Sequence, residues 1–157
     1  SSNGKWRKIM GKLAKFHSLC GERQSKIVSQ DRESRNPCKY TAVNEDRLHV
    51  AQYQLDGQVF TGHEQRCDFL VMNQDKKSAY LIELKGSNVL HAMDQVQSSA
   101  RLLQDDLADC DVFYRIIYRS RTQEVRQSRI IRWKEKMGKK NGVPVVILKE
   151  KQYEETI

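Results

Sequence analysis

No run of apolar residues in this chain approaches the roughly 20 needed to span a bilayer, and nothing in it resembles a secretory signal peptide. The expectation is an intracellular, cytoplasmic protein with no membrane partner. Cysteine is sparse: Cys20, Cys38, Cys67 and Cys110 lie far apart and no CxxC pair occurs, so a zinc ribbon or a thioredoxin-like pair has no support. His17 and Cys20 with Cys38, or His63 with Cys67, are conceivable zinc ligands, but reduced and partly buried thiols are the preferred reading. Internal repeats and low-complexity segments are absent too. The chain of 157 residues then fits one domain, 1–157, with residues 1–4 expected to be disordered. A domain of this size buries about two-thirds of its surface without disulfides or metal staples.

Charge is plentiful and unevenly placed. Residues 1–39 carry ten Lys/Arg against three acids, and residues 113–140 carry ten against two. Between them, residues 40–112 carry six against twelve, although the whole chain is +8. Two basic blocks flanking an acidic segment suit a polyanion-binding surface around a cation-binding centre, so nucleic acid, DNA first, is the expected partner.

The acidic segment is organised around Arg66–Leu103. Two apolar strands, Cys67–Met72 and Ala79–Leu84, are joined by a polar turn and followed by an amphipathic helix. Three charges interrupt the apolar pattern: Asp68 in the first strand, and Glu83 and Lys85 around Leu84 at the end of the second. Period-two alternation sends Glu83 and Lys85 to one face, where Asp68 of the adjacent strand can meet them. Burying two carboxylates and an ammonium costs several kcal/mol unless they pair or hold a metal.

The pattern Asp68, fourteen residues, then Glu83-Leu84-Lys85 resembles the PD-(D/E)xK nuclease superfamily, with Cys67 standing where the namesake Pro is often found. It is the chain's only ExK, and it lies at the end of the apolar run AYLIEL, after an Asp-bearing strand and before a helix. The resemblance covers about half the chain. It implies a restriction-endonuclease-like α/β fold: an αβββαβ core with a mixed central sheet flanked by helices, here with an extra C-terminal helix and strand. It also implies a Mg²⁺- or Mn²⁺-dependent nuclease that hydrolyses phosphodiester bonds. Asp68, Glu83 and the Leu84 carbonyl would be the metal ligands, and Lys85 would orient the attacking water or stabilise developing charge. Accessory roles fall to Glu22 or Glu33 as an acid from the first core helix, and to Gln95 or Gln97 ten and twelve residues beyond Lys85. His63 and Glu64, just ahead of the Asp68 strand, would sit near the mouth of the site.

The rest of the chain reads in the same sense. Trp6, Ile9, Met10, Leu13 and Phe16 recur at helical spacing over Lys5–Leu19, with Lys8, Lys12 and Lys15 on the polar side facing phosphates. Gly21–Arg35 shows a weak helical pattern through Ile27 and Val28, broken at Asn36-Pro37. A strand over Leu48–Leu55 leads to the Asp56-Gly57 hairpin turn and a second limb, Gln58–Thr61. Ser87 or Asn88 caps a helix whose stripe is Val89, Met93, Val96, Ala100, Leu103 and Leu107. Asp111–Tyr118 is a strand, Thr122–Met137 a helix ended by Gly138, and Val143–Leu148 a continuously apolar strand expected to be central or covered on both faces. Arg115, Arg119, Arg121, Arg126 and Arg129 are the expected nucleic-acid contacts of the second basic block. Two other arrangements compete: a non-catalytic nucleic-acid-binding module on the same fold, and a regulatory protein that meets an acidic partner. Homodimer formation is left open.

Overall fold

The computed structural model describes residues 11–31, 35–84, 88–120 and 126–157, and over these the chain is mixed α/β. In chain order the strands are β1 (Lys26–Gln30), β2 (Lys39–Val43), β3 (Val50–Gln54), β4 (Phe69–Asn73) and β5 (Ser78–Leu84). Helix α1 (Val89–Leu102), β6 (Asp111–Tyr118) and helix α2 (Ser128–Met137) come next. Four strands close the chain: β7 (Lys139–Lys140), β8 (Val143–Pro144), β9 (Val146–Glu150) and β10 (Gln152–Thr156).

The central sheet has the order β3-β4-β5-β6-β9. β3, β4 and β5 form an antiparallel meander, after which α1 crosses over to place β6 parallel to β5, and β9 lies parallel to β6. The β4–β5 turn closes on Lys77, which takes a φ of 52°, and on the Lys76 N–H bond to the Asn73 side chain at 3.1 Å. Asn88 caps α1, its side chain accepting the His91 N–H at 2.9 Å, and the stripe Val89, Ala92, Met93, Val96 and Ser99 is buried. Gly138 ends α2 at a φ of 60°, a conformation that other residues adopt only with strain.

Alternation along the central strands separates two cores. Leu70, Ala79, Leu81, Tyr114 and Ile116 pack beneath α1 and α2, whereas Val71, Tyr80, Ile82, Leu84, Phe113 and Ile117 face the opposite way. The second face is covered by a three-stranded sheet, β1-β2-β10, which contributes Ile27, Tyr40 and Ala42. A sheet flanked by helices was expected; among the described residues the helices lie on one face and a small sheet covers the other.

Three other expectations change. Residues 5–10 of the expected first helix, Lys5–Leu19, lie outside the described residues, and the remainder makes one 3₁₀ turn, Lys12–Lys15. That turn is capped from a distance, Asp106 accepting the Lys12 and Leu13 N–H groups at 3.0 and 2.9 Å, and the chain beyond it is drawn out so that Leu19 N–H reaches the Gln52 carbonyl at 2.8 Å. The segment read as a weak helix is β1: Ile27 and Ser29 are buried while Lys26, Val28 and Gln30 are exposed, a period of two that the adjacent Ile-Val pair obscures. The apolar run Val143–Leu148 is split between two elements. Val143 and Pro144 pair with β7, and only from Val146 does β9 begin, at the edge of the central sheet rather than in its middle.

Candidate metal and phosphate site

Asp68 immediately precedes β4, opposite the end of β5. In the register Phe69 faces Ile82, yet the Asp68 N–H also donates to the Ile82 carbonyl, at 3.0 Å. Two residues therefore address one, which is the arrangement of a β-bulge, a device that re-aims a side chain at the rim of a sheet. The re-aimed carboxylate accepts the Leu84 N–H at 2.8 Å, continuing by a side chain a ladder that the backbone has stopped. On the other flank the Asp68 carbonyl accepts the Leu55 N–H at 2.8 Å, so the residue is held from both neighbouring strands.

Glu83 has the parity of Ala79 and Leu81 and so points to the helix-covered face, where it is only 3% exposed. Cys67, fully buried, lies in that same core and donates its N–H to the Ser99 hydroxyl of α1 at 2.8 Å. Burial pushes the Cys67 thiol well above its ordinary pKa, and the negative charges of Glu83 and Asp68 push it further. Both carboxylates thus bear on the same buried thiol, Glu83 more strongly than Asp68. Lys85 lies outside the described residues, as do Glu33, Lys8 and Arg121.

Among the described residues no group of three or more His, Cys, Asp or Glu gathers as a metal cage. The donors on hand are two carboxylates and the Leu84 carbonyl at the strand end. Such hard oxygen donors fit Mg²⁺ or Mn²⁺, which keep several waters and complete their shell with substrate phosphate. Asp68 spends one bond on Leu84, and a carboxylate has about four acceptor positions, so capacity remains.

The other expected participants disperse. Glu22 sits at the far end of the sheet, where its carbonyl accepts the Val50 N–H and its carboxylate approaches His49 at 3.6 Å; Val50 pairs with Asn73, at the opposite end of β4 from Asp68. Glu22 is therefore not beside the carboxylate pair. His63 is exposed, and Glu64 lines a separate cleft with Lys12 and Lys15. Gln95 and Gln97 are half-buried on opposite borders of the α1 stripe, two residues turning a helix by about 200°; the Gln97 amide donates to the Met93 carbonyl at 3.3 Å.

Arg115 requires a correction. Its side chain is fully buried in β6 and makes an ion pair with Glu155 of β10, so it offers nothing to a phosphate. The reason is alternation: Arg115 shares the parity of Phe113 and Ile117, which face the second sheet. Glu155 was missed because β10 has an unremarkable polar sequence. The other cations remain outside. Lys15 and Arg126 are exposed. Lys12 donates its ammonium to the Leu102 carbonyl at 2.7 Å, Arg119 reaches Asp31 at 3.4 Å, and Arg129 reaches Asp94 of α1 at 3.6 Å. From Arg126 through α2 and the β7–β8 hairpin, Arg126, Arg129, Arg132, Lys134, Lys136, Lys139 and Lys140 are all exposed, against one acid, Glu135. Arg119, which follows β6, and Lys149 and Lys151, at the end of β9, lie at the same end of the sheet as Leu84, because Leu84 pairs with Ile117 and Tyr118 with Glu150.

No protein-family model, no curated protein and no solved structure matches the chain. Among the described residues, no helix is long and apolar enough to cross a membrane.

Proposed function

We propose that the chain is a metal-dependent nuclease that hydrolyses phosphodiester bonds in DNA through Asp68, Glu83 and Lys85. One observation carries the reading: at the rim where an antiparallel meander gives way to a helical crossover, a bulge turns the Asp68 carboxylate onto the Leu84 N–H beside buried Glu83. This order of elements, ββ β then helix then parallel strand, is also the one that the PD-(D/E)xK resemblance leads one to expect around its motif.

Each residue has a definite task in this mechanism. Asp68 is fixed by the Leu84 N–H and presents its remaining acceptor positions to a cation. Glu83, held in a dry wall of the helix-covered core, supplies the second carboxylate. Asp68 and Glu83 would hold a divalent cation, which would supply a more acidic water and offset charge on the phosphoryl oxygens. Lys85, by the ExK pattern, would position the nucleophile or stabilise the transition state. The exposed cations following β6 and along α2 bind flanking phosphates, which places the scissile bond at the carboxyl ends of the parallel strands.

The direct test incubates linear, nicked, flapped, four-way and single-stranded substrates with Mg²⁺, Mn²⁺ or EDTA. Metal-dependent cleavage of any of them is expected, and none from Asp68→Asn. Calorimetry should show Mn²⁺ binding by the wild type and its loss in Asp68→Asn; equal binding by both would move the metal elsewhere. Affinity for DNA should also fall with salt. For about five phosphate contacts the slope of log affinity against log salt is about −4 to −5. Neutralising Arg119, Arg126 and Arg129 together should flatten that slope and weaken binding to all sequences alike, whereas a flat wild-type titration would remove nucleic acid as the partner.

A further inference from the structure

We propose that the cleft between the 3₁₀ turn and the loop after β3 holds one unpaired nucleotide of the substrate strand, so that the preferred DNA carries a single-stranded segment beside the cleavage point. The inference rests on the nuclease reading above and adds the class of substrate.

The cleft has a volume of about 510 Å³ and is lined by Lys12, Ala14, Lys15, Val59, Phe60 and Glu64. That volume falls in the range of about 300–1,000 Å³ typical of sites for small organic ligands. A volume of that size suits a single nucleotide turned out of a helix rather than a stretch of duplex.

Its chemistry divides as a nucleotide does. Ala14 is exposed and Val59 half-buried, giving apolar surface for a base face, with the ring of buried Phe60 beneath. Apolar contacts of this kind read no base edge and are therefore sequence-tolerant. Lys15 is exposed, and its ammonium stands 5.8 Å from the Phe16 ring, free to move onto a phosphate, whereas the Lys12 ammonium is already committed to Leu102. Glu64 repels phosphate but accepts hydrogen bonds from base amino groups, so it orients the base toward itself and the phosphate toward Lys15. Its carboxylate lies 3.9 Å from the Arg66 guanidinium.

The cleft is also near the proposed chemistry. Asp68 is four positions beyond Glu64, so at most about 14 Å of extended chain lies between them. A strand whose phosphate sits at Asp68 and Glu83 can therefore reach the cleft within a few nucleotides.

The test measures fluorescence anisotropy in EDTA with the full chain, comparing a blunt duplex with the same duplex bearing a short single-stranded overhang. Wild type should favour the overhang by at least about fivefold, the gain from taking roughly 40 Å² of apolar base and cleft surface out of water. Ala14→Trp, which fills the cleft, should abolish that preference while changing blunt-duplex affinity less than about twofold, and Lys15→Ala, which leaves its shape intact, should lower overhang affinity at least about fivefold more than blunt-duplex affinity, with thermal melts showing both variants folded. Equal wild-type affinity for the two DNAs overturns the proposal, and so does an equal loss on both in Lys15→Ala. Cleavage is not needed for this readout, so a protein that cuts nothing in Mn²⁺ would end the nuclease reading separately from the outcome here.

Discussion

Lys85→Ala is expected to lower Mn²⁺-supported cleavage by about 10²–10³-fold, equivalent to roughly 3–4 kcal/mol of transition-state stabilisation, while leaving fold, metal binding and most DNA affinity in place. The expectation follows from what is removed. For binding, Lys85 is one cation among many, since α2 and the β7–β8 hairpin alone expose six. For the reaction, it is the one positive side chain that the ExK pattern brings to Glu83. A purely structural role leads elsewhere. If Lys85 only balances the charge of Glu83, which is 3% exposed, its loss strands a buried carboxylate and should cost about 3–5 kcal/mol of folding stability. Thermal melts run beside cleavage assays decide. A stable but inactive variant supports the catalytic role, and an active but strongly destabilised one ends it.

The parts of the molecule legible in the sequence are those where one local signal dominates. β6 was read to the residue because DVFYRIIY is dense in β-branched and aromatic side chains between polar flanks; the start of α1 was legible from its stripe, which was expected to run to Leu107 although the helix ends at Leu102. The hairpin of β4 and β5 was legible for the same reason, and its register brings Asp68 to the end of β5. The bulge that turns Asp68 onto Leu84 was not, since it depends on which carbonyl the Asp68 N–H finds, a matter of pairing rather than of pattern. Tertiary pairing also decided the failures. Ile27-Val28 satisfies a helix or a strand equally, and the partner strand β2 selects the strand. Val143–Leu148 is one apolar run, but Lys139 and Lys140 claim its first two residues. Arg115 carries no mark of burial in the sequence, because the residue that makes burial tolerable, Glu155, lies forty positions away.

That pair leads to the largest expected loss of stability. Arg115 is fully buried, and its side chain joins three strands. Two nitrogens donate to Glu155, Nη2 reaching Oε1 at 3.2 Å, while Nη1 donates to the Tyr114, Pro144 and Val145 carbonyls at 3.0, 3.1 and 3.0 Å. Glu155 also accepts the Tyr40 hydroxyl at 2.7 Å, which ties β2 to β10 and β6. The guanidinium carbon lies 5.5 Å from the ring centres of both Tyr80 and Phe113. Removing either partner leaves an uncompensated charge between the two sheets, so Arg115→Met and Glu155→Gln should each cost about 3–5 kcal/mol. At roughly 2–4 °C per kcal/mol for a chain of this size, the melting temperature should drop by about 6–20 °C. Arg115→Met combined with Glu155→Leu should recover much of that loss, because an apolar pair carries no desolvation cost. Where the Arg115→Met protein is folded, its DNA affinity should equal that of the wild type, as a phosphate contact would not allow. The alkaline limb of stability gives an independent reading. Burial first, then the Glu155 charge, holds the Tyr40 pKa well above 10.0, and burial pushes Tyr80 up to about 12. A group whose pKa is raised by folding contributes its full stability below the unfolded value and loses it as pH rises toward the folded one. Wild-type stability should therefore decline between about pH 10 and 12. Tyr40→Phe should soften that decline while costing about 1.5–3 kcal/mol at neutral pH for the lost hydrogen bond to a charged acceptor. Single variants at Arg115 and Glu155 that melt within about 2–4 °C of wild type, the equivalent of 1 kcal/mol, would show that the network does not hold the two sheets together.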